Sequence, residues 1–285
     1  MDLSIIIVNY NTKELCTQTV KYVLASSVHE TFSYEVIVVD NSSKKEEIFS
    51  LSHPNVRIFS GVENHGFGHA CNIGASKAAG KILLFLNSDT IVEADTIQKS
   101  WDYLVNHPEI GVLGIKTLLQ DGSLDHGCKR GFPTPFNSLC YFTKLDRCFP
   151  HNRHFGGYRL SYLDPDQTTE VDAVSGAYLM IPKEIFQGIK GFDESFFMYG
   201  EDLDLCYRVK QAGYQVVYYA GSTMVHLKGQ SGLQSQNPII IQHFYQAMEL
   251  FYDKHYKKKY GVVMRMMVHG AIRAKCRWSL LKSSQ

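Results

Sequence analysis

The chain has 285 residues, 45% of them hydrophobic and 20% charged, as in a soluble globular protein of one large domain or two small ones. A formal net charge of +1 excludes bulk electrostatic attraction to nucleic acid, so no nucleic-acid partner is expected. The seven cysteines are odd in number and lack close paired spacing; they form no zinc pattern and fit reduced thiols in a cytoplasmic compartment. The first residues enter a strand at once, leaving no room for a leader, and no apolar run approaches the ~18–20 residues of a membrane span.

Residues 3–8 (Leu-Ser-Ile-Ile-Ile-Val) read as a buried strand. Asn9-Tyr10-Asn11 follows, then a helix to about Ser26 that is capped by Asn11 or Thr12 and turns Leu15, Thr19, Val20 and Val23 inwards. Residues 35–39 are a second strand, ending at Asp40-Asn41-Ser42-Ser43, and residues 56–60 a short third. Asn64-His65-Gly66-Phe67-Gly68 opens a helix that carries Asn72 and runs to about Ala79. Its glycines permit a close approach by phosphate or ribose, but the third glycine of a dinucleotide fingerprint is missing. Residues 82–86 are an unbroken apolar run, a strand buried on both faces, which stops at Asn87-Ser88-Asp89. Strands alternating with helices predict a parallel α/β sheet with right-handed crossovers. Such sheets bind ligands at the carboxyl ends of their strands. Strand ends at Asn9, Asp40 and Asn87-Ser88-Asp89 therefore suggest a nucleotide site with Asp89 as metal ligand. Asn, Ser and Asp are also good helix caps, and on their own they would be read that way.

Residues 94–106 read as a helix, 111–119 as a strand, and Gln120-Asp121-Gly122-Ser123 as a hairpin turn. From about His126 to Gln167 the periodicity fades among Pro133, Pro135, Pro150 and Pro165, as in a lid or binding surface. Residues 171–181 return to strand, with Ser175-Gly176-Ala177 small enough for close approach. A short helix over 183–189, a helix from Glu201 to Ala212 with Gly213 as its cap, and a last strand over 216–219 lead to His226. Glu201-Asp202-Leu203-Asp204 places three acids in one helical first turn, more than the helix dipole requires. Like charges this close raise one pKa and prepare a general base. Asp89, this acid pair and His226 together make a metal-plus-base constellation.

Taken in order, six motifs carry a specific likeness: Ser4-Ile5-Ile6-Ile7-Val8-Asn9-Tyr10-Asn11, Val38-Val39-Asp40-Asn41-Ser42-Ser43, Asn64-His65-Gly66-Phe67-Gly68, Leu86-Asn87-Ser88-Asp89, Gly191-Phe192-Asp193-Glu194 and Gly200-Glu201-Asp202-Leu203-Asp204-Leu205. Over about residues 3–230 the chain resembles the family 2 inverting glycosyltransferases, and most of all their rhamnosyltransferase-like branch. The resemblance implies a GT-A fold: an α/β domain with a mostly parallel nucleotide-binding sheet flanked by helices. Residues 1–230 would form it, 1–115 as the nucleotide-sugar-binding half and 116–230 as the acceptor and catalytic half, with a helical basic extension over 231–285.

It also implies roles. Asp40 would bind the donor's base, with Tyr10, Asn9 and Asn11 beside it, and Asn64, Gly66 and Asn72 would line the ribose and diphosphate. Asn87-Ser88-Asp89 stands where the family has Asp-x-Asp, so Asp89 would hold Mg²⁺ or Mn²⁺ and His226 would complete the metal shell. Asp202 would deprotonate the acceptor hydroxyl, with Glu201 in support. Asn87 in place of the first Asp leaves less charge for the cation, though an amide oxygen still coordinates it. The function implied is transfer of a sugar from a dTDP- or UDP-sugar, plausibly dTDP-rhamnose, to a saccharide or lipid-linked saccharide in bacterial surface-polysaccharide assembly. Two other readings are a catalytically inactive nucleotide-sugar-binding or scaffolding protein and a nucleotidyltransferase. The last would place a Gly-rich loop with Arg or Lys after the first strand, and Asn9-Tyr10-Asn11-Thr12 is not one.

No acid follows Asp253, whereas Lys254, Lys257, Lys258, Lys259, Arg265, Arg273, Lys275, Arg277 and Lys282 do. In a helix, Arg265, His269, Arg273 and Arg277 share one face, while Met264, Met267, Val268, Ala271, Ala274 and Trp278 fall mainly on another. That is the pattern of an interfacial helix on an anionic membrane, which would make the protein cytoplasmic and peripheral on the inner face. The same helix would also serve to pack on the catalytic domain or on a second subunit in a homodimer.

Overall fold

The computed structural model describes residues 1–26, 32–227 and 237–283. β1 (Leu3–Asn9) leads to α1 (Lys13–Ala25), and β2 (Tyr34–Asp40) and β3 (Val56–Ser60) precede α2 (Phe67–Lys77). β4 (Ile82–Asn87) turns at Ser88-Asp89 into β5 (Thr90–Val92), which is followed by α3 (Thr96–Val105). Next come β6 (Ile110–Leu118), α4 (Pro135–Phe142), α5 (Leu145–Cys148), β7 (Thr169–Glu170), β8 (Tyr178–Pro182), α6 (Lys183–Gly188) and α7 (Glu201–Gln211). β9 (Gln215–His226) is the last strand, and α8 (Pro238–His255) and α9 (Lys257–Ser283) close the described chain.

The strands join in one nine-stranded sheet, ordered β3-β2-β1-β4-β8-β6-β9-β5, with β7 also on β9. Every residue of β1 and β2 is buried, so both faces need cover. Alternating side chains provide two cores. Ile6, Val8, Ile37, Val39, Leu83 and Phe85 pack with α2, α6, α7 and α8, and Ile5, Ile7, Val36, Val38, Leu84 and Leu86 pack with α1 and α3. β1, β2, β3 and β4 are parallel to their neighbours in that half. The register aligns Asn9 with Asp40, and Val8 with Asn87, so the polar strand ends form one row.

The expected parallel sheet is the β3-β2-β1-β4 half, flanked by helices. Beyond it the sheet is mixed: β8 inserts antiparallel between β4 and β6, and β5 and β7 run antiparallel to β9. Three expectations are corrected. The aperiodic stretch from His126 to Gln167 contains α4 and α5, and α4 starts where Thr134 accepts the Asn137 N–H and Pro135 supplies a preformed first turn. The strand expected over residues 171–181 is broken: β7 ends at Glu170 and β8 begins at Tyr178. Between them the Gly176 N–H turns away from the ladder to a carboxylate on α7. The last strand is the longest element of the sheet, because a register shift against β6 between Ile115 and Lys116 lets pairing continue to Val225. The expected boundary at residues 230 and 231 lies outside the described residues.

The C-terminal helices are latched to α7 by a buried carboxylate. Asp204 on α7, fully buried, pairs with Arg208, Lys254 and His255, each at 2.7 Å. Burial alone would raise this carboxyl, but the His255, Arg208 and Lys254 contacts overcome that and hold it below its ordinary value. α9 departs from helical geometry at Gly261 (φ +75°). Beyond that point it folds back along α8, with Ile272 packed against Ile241 and Tyr245.

Asp204→Ala should therefore lower unfolding stability by about 3–5 kcal/mol, because it strands its cations at a dry interface. Denaturant melts measure this; an unchanged midpoint would remove the latch from the account.

Candidate active site

Asp89 follows the tip of β4 and is placed by β5, whose Thr90 pairs with His226 at the end of β9. The Leu227 N–H donates to the Asp89 carbonyl at 2.8 Å, closing this pairing. Asp89 Oδ1 then lies 3.1 Å from His226 Nε2, and the Asn87 side-chain amide 3.4 Å from the same nitrogen. Asp89 and His226 are both buried. The sequence separates these residues by more than a hundred positions, and the β5–β9 pairing joins them.

Asp202 begins α7 behind Gly200, whose backbone is left-handed (φ +82°) and whose missing side chain leaves room for the Phe196 ring. Its carboxylate is held by several donors: Arg130 Nη2 at 2.7 Å and the Gly176 N–H at 3.0 Å on Oδ2, and the Leu203 N–H at 2.7 Å on Oδ1. The next residue after Gly176 faces the other centre, because the Asn87 N–H donates to the Ala177 carbonyl at 3.1 Å. One short segment thus fixes Asp202 on one side and the Asn87-Ser88-Asp89 tip on the other.

Glu201 is buried beside them, and its Oε2 makes no hydrogen bond among the described residues. Burial, and then the Asp202 charge, push its carboxyl up to about 8. At neutral pH Glu201 is the protonated member of the pair.

The remaining expected site residues line the row of strand ends, and most of their polar groups are engaged by protein. Asp40 is buried and accepts N–H bonds from Ser42 and Phe49. Asn9 donates to Ser42 Oγ and the Glu47 carbonyl, each at 2.9 Å. Asn11, at φ +54°, bonds Ser43 and Lys44. Asn64 accepts from the Gly66 N–H, and Asn72 is tied to Phe192 and Glu194. Ser88 Oγ lies 3.1 Å from Thr12 Oγ1. Tyr10 differs, with 40% of its surface exposed. Gly66 is required locally: at φ +110° a side chain there would strike the Phe197 carbonyl, which accepts the Phe67 N–H at 3.0 Å.

Two site residues escaped the sequence reading. Arg130 stood in the aperiodic stretch, where its Cys128-Lys129-Arg130 context carries no periodic signal. Asp125 follows the hairpin turn, and its carboxylate faces His226 Nδ1 at 3.6 Å. Among the described residues no group of three or more His, Cys, Asp or Glu side chains is arranged to hold a metal. The donors that converge are one carboxylate, one imidazole and one amide. Asp89 and His226 would offer a divalent cation two protein ligands, with ligand oxygens and water left to complete its shell. Oxygen donors with an imidazole suit Mn²⁺ better than Mg²⁺.

The fold is of the GT-A type. The family described as "Glycosyltransferase like family 2" matches residues 2–244, and the chain belongs to it. The O-antigen biosynthesis protein RfbC of Myxococcus xanthus is 29% identical over 232 residues, 79% of this chain and 17% of that protein. The N-acetylglucosaminyl-diphospho-decaprenol L-rhamnosyltransferase of Mycobacterium tuberculosis is 28% identical over 209 residues, 69% of this chain and 67% of that enzyme. Among solved structures, the mannosyltransferase PcManGT of Pyrobaculum calidifontis, in complex with GDP-Man and Mn²⁺, superposes with a TM-score of 0.59 at 15% identity. That superposition covers 99% of this chain and 72% of the other, and it supports the fold. The chain spans less than a fifth of the Myxococcus protein it matches.

Glu201 gives a pH-dependent signature. Its folded pKa lies above its unfolded one, so it favours folding fully below about 4.5, and that contribution fades as pH rises towards about 8. Glu201→Gln should flatten the fall in stability across this window. A parent and variant with parallel pH profiles would show that Glu201 is ionised in the fold.

Proposed function

We propose that this chain is an inverting hexosyltransferase. It moves a sugar from a nucleotide-sugar donor to a hydroxyl of a saccharide or lipid-linked saccharide during surface-polysaccharide assembly. The observation that carries this reading is the Gly176-Ala177 segment, which bonds the carboxylate of Asp202 on one side and the β4 tip on the other. The Mycobacterium relative, a rhamnosyltransferase, makes dTDP-rhamnose the first donor to test.

In this reading Asp202 takes the proton of the acceptor hydroxyl as that oxygen attacks the anomeric carbon from the face opposite the departing diphosphate. Glu201, protonated, leaves the negative charge of the pair on Asp202. Asp40 orders the loop against which the base lies, and the exposed ring of Tyr10 is free to cover it. Asn9, Asn11, Asn64, Gly66 and Asn72 shape the wall around ribose and diphosphate. Asn87, Ser88, Asp89 and His226 face the phosphates, and a divalent ion held by Asp89 and His226 would neutralise charge on the leaving group.

Donor hydrolysis and transfer, assayed across UDP-, GDP- and dTDP-sugars with Mn²⁺ or EDTA, test the proposal. Asp202→Asn should cut turnover by ~10²–10⁴ and keep the donor's thermal shift. A thermal shift without turnover in the parent protein would favour a nucleotide-sugar-binding protein, and neither signal would overturn the reading.

We also propose that α9 seats the enzyme on an anionic membrane, through a different face from the one its sequence suggests. Arg265 and His269 bond Asp253, and Arg273 bonds Glu249, so this part of the basic stripe is turned to α8. Val262, Val263, Met266 and Met267 are instead 64–73% exposed. Lys257, Lys258 and Lys259 precede them, and Lys275 and Lys282 lie 4.0 and 4.1 Å from the Trp278 ring centroid. No helix among the described residues is long and apolar enough to cross a membrane, so the contact is interfacial. The protein should float with anionic vesicles, less so in high salt, and Val263→Glu with Met266→Glu should abolish it. A protein that never floats but sediments as a dimer would assign the face to a second copy.

A further inference from the structure

The geometry points to Asp125 as the residue that orients His226 for a cation, an inference that rests on the divalent-ion reading above. β6 runs parallel to β9, with Leu118 opposite Val225, the residue before His226. The chain then turns back on itself: the Leu119 N–H donates to the Ser123 carbonyl, and the Asp125 N–H to the Thr117 carbonyl, both at 2.8 Å. This hairpin returns Asp125 to the end of β9. Its Oδ1 accepts the Gly127 N–H at 2.9 Å, which fixes the carboxylate plane and leaves Oδ2 facing His226 Nδ1 at 3.6 Å. Asp125 is only 5% exposed and His226 6%, so bulk water does not substitute for this pairing.

The two faces of the imidazole thus meet two carboxylates, Asp125 at Nδ1 and Asp89 at Nε2. A neutral imidazole has one N–H, and its position decides which nitrogen offers a lone pair. The hydrogen-bond contact of the ring is Nε2 with Asp89 at 3.1 Å, and Asp125 faces Nδ1 at 3.6 Å, beyond hydrogen-bond reach. A cation taken up at Nε2 would leave the proton on Nδ1, where the Asp125 charge favours it. Removing a carboxylate of this kind behind a ligating histidine weakens metal affinity by ~10–100-fold in general. Asp125 touches neither donor nor acceptor here; it is a positioning residue.

Mn²⁺ binding to the full chain, measured by electron paramagnetic resonance with inorganic pyrophosphate present, tests the assignment. The parent should show imidazole-nitrogen modulation in the electron spin echo of bound Mn²⁺, and His226→Ala should remove it. Asp125→Asn keeps the shape and the Gly127 contact while losing the charge; it should weaken Mn²⁺ several-fold and diminish the modulation. Asp125→Ala should weaken Mn²⁺ ~10–100-fold. An Asp125→Asn variant with the parent's melting temperature, Mn²⁺ affinity and modulation overturns the inference. A parent that transfers sugar but shows no nitrogen modulation overturns it too, and leaves the transferase reading standing.

Discussion

Every part of this site is built around carboxylates taken out of water, and each needs its own compensation. Asp40 accepts N–H bonds from its own loop, at Ser42 and Phe49. Asp89 meets His226, Asp202 meets Arg130, and Asp204 meets Arg208, Lys254 and His255. Glu201 has no cation of its own and keeps its proton instead. The compensating partners come from distant parts of the chain. The charges therefore hold β5, β9, α7, α8 and the segment around Arg130 in one relative arrangement.

Strand register does the rest. β1, β2 and β4 end in step, so Asn9, Asp40 and Asn87 form a row. β8 could have extended the parallel sheet, but it runs antiparallel beside β4. Reversing it brings the segment that precedes β8, Ser175-Gly176-Ala177, to the same edge as the carboxyl end of β4. A parallel strand would have presented its own carboxyl end there and carried that segment to the far side of the sheet. The antiparallel insertion is what lets one backbone turn contact both Asn87 and Asp202.

The parallel half of the sheet was legible because its signals are local. A run such as Ile82-Leu83-Leu84-Phe85-Leu86 ended by Asn87-Ser88-Asp89 fixes a buried strand and a polar tip within nine residues. The acids of α7 were legible for the same reason. The partners of those groups were not. Arg130 lies 72 residues from Asp202, and nothing in its neighbourhood marks it as a counter-ion. The break before β8 was hidden because Val171-Asp172-Ala173-Val174 has strand composition, whereas the Gly176 N–H is claimed by a side chain beyond the reach of local pattern. In the tail, the spacing of Arg265, His269 and Arg273 was read correctly as one face. Which way that face points is set by pairing with Glu249 and Asp253 on α8, in contacts that leave Arg265 and Arg273 partly exposed.

The same reasoning ties the C-terminal helices to α7. Glu201, Asp202 and Asp204 lie within one turn of α7, and their side chains serve the protonated partner, the carboxylate and the latch to α8. A helix moves as a rigid body over so short a distance, so any shift of α8 that drags Asp204 must also move Asp202 relative to Gly176 and Arg130. The ring of Tyr207, on the same helix, lies 4.1 Å from that of His255 and tightens this connection. The family match agrees with it, running through residue 244 and into α8 rather than stopping at the end of the sheet. α8 is therefore coupled to α7, and α9 is a surface carried on α8. A displacement of α9 would thus be passed on, through α8 and Asp204, to the carboxylate of Asp202 on the same helix turn.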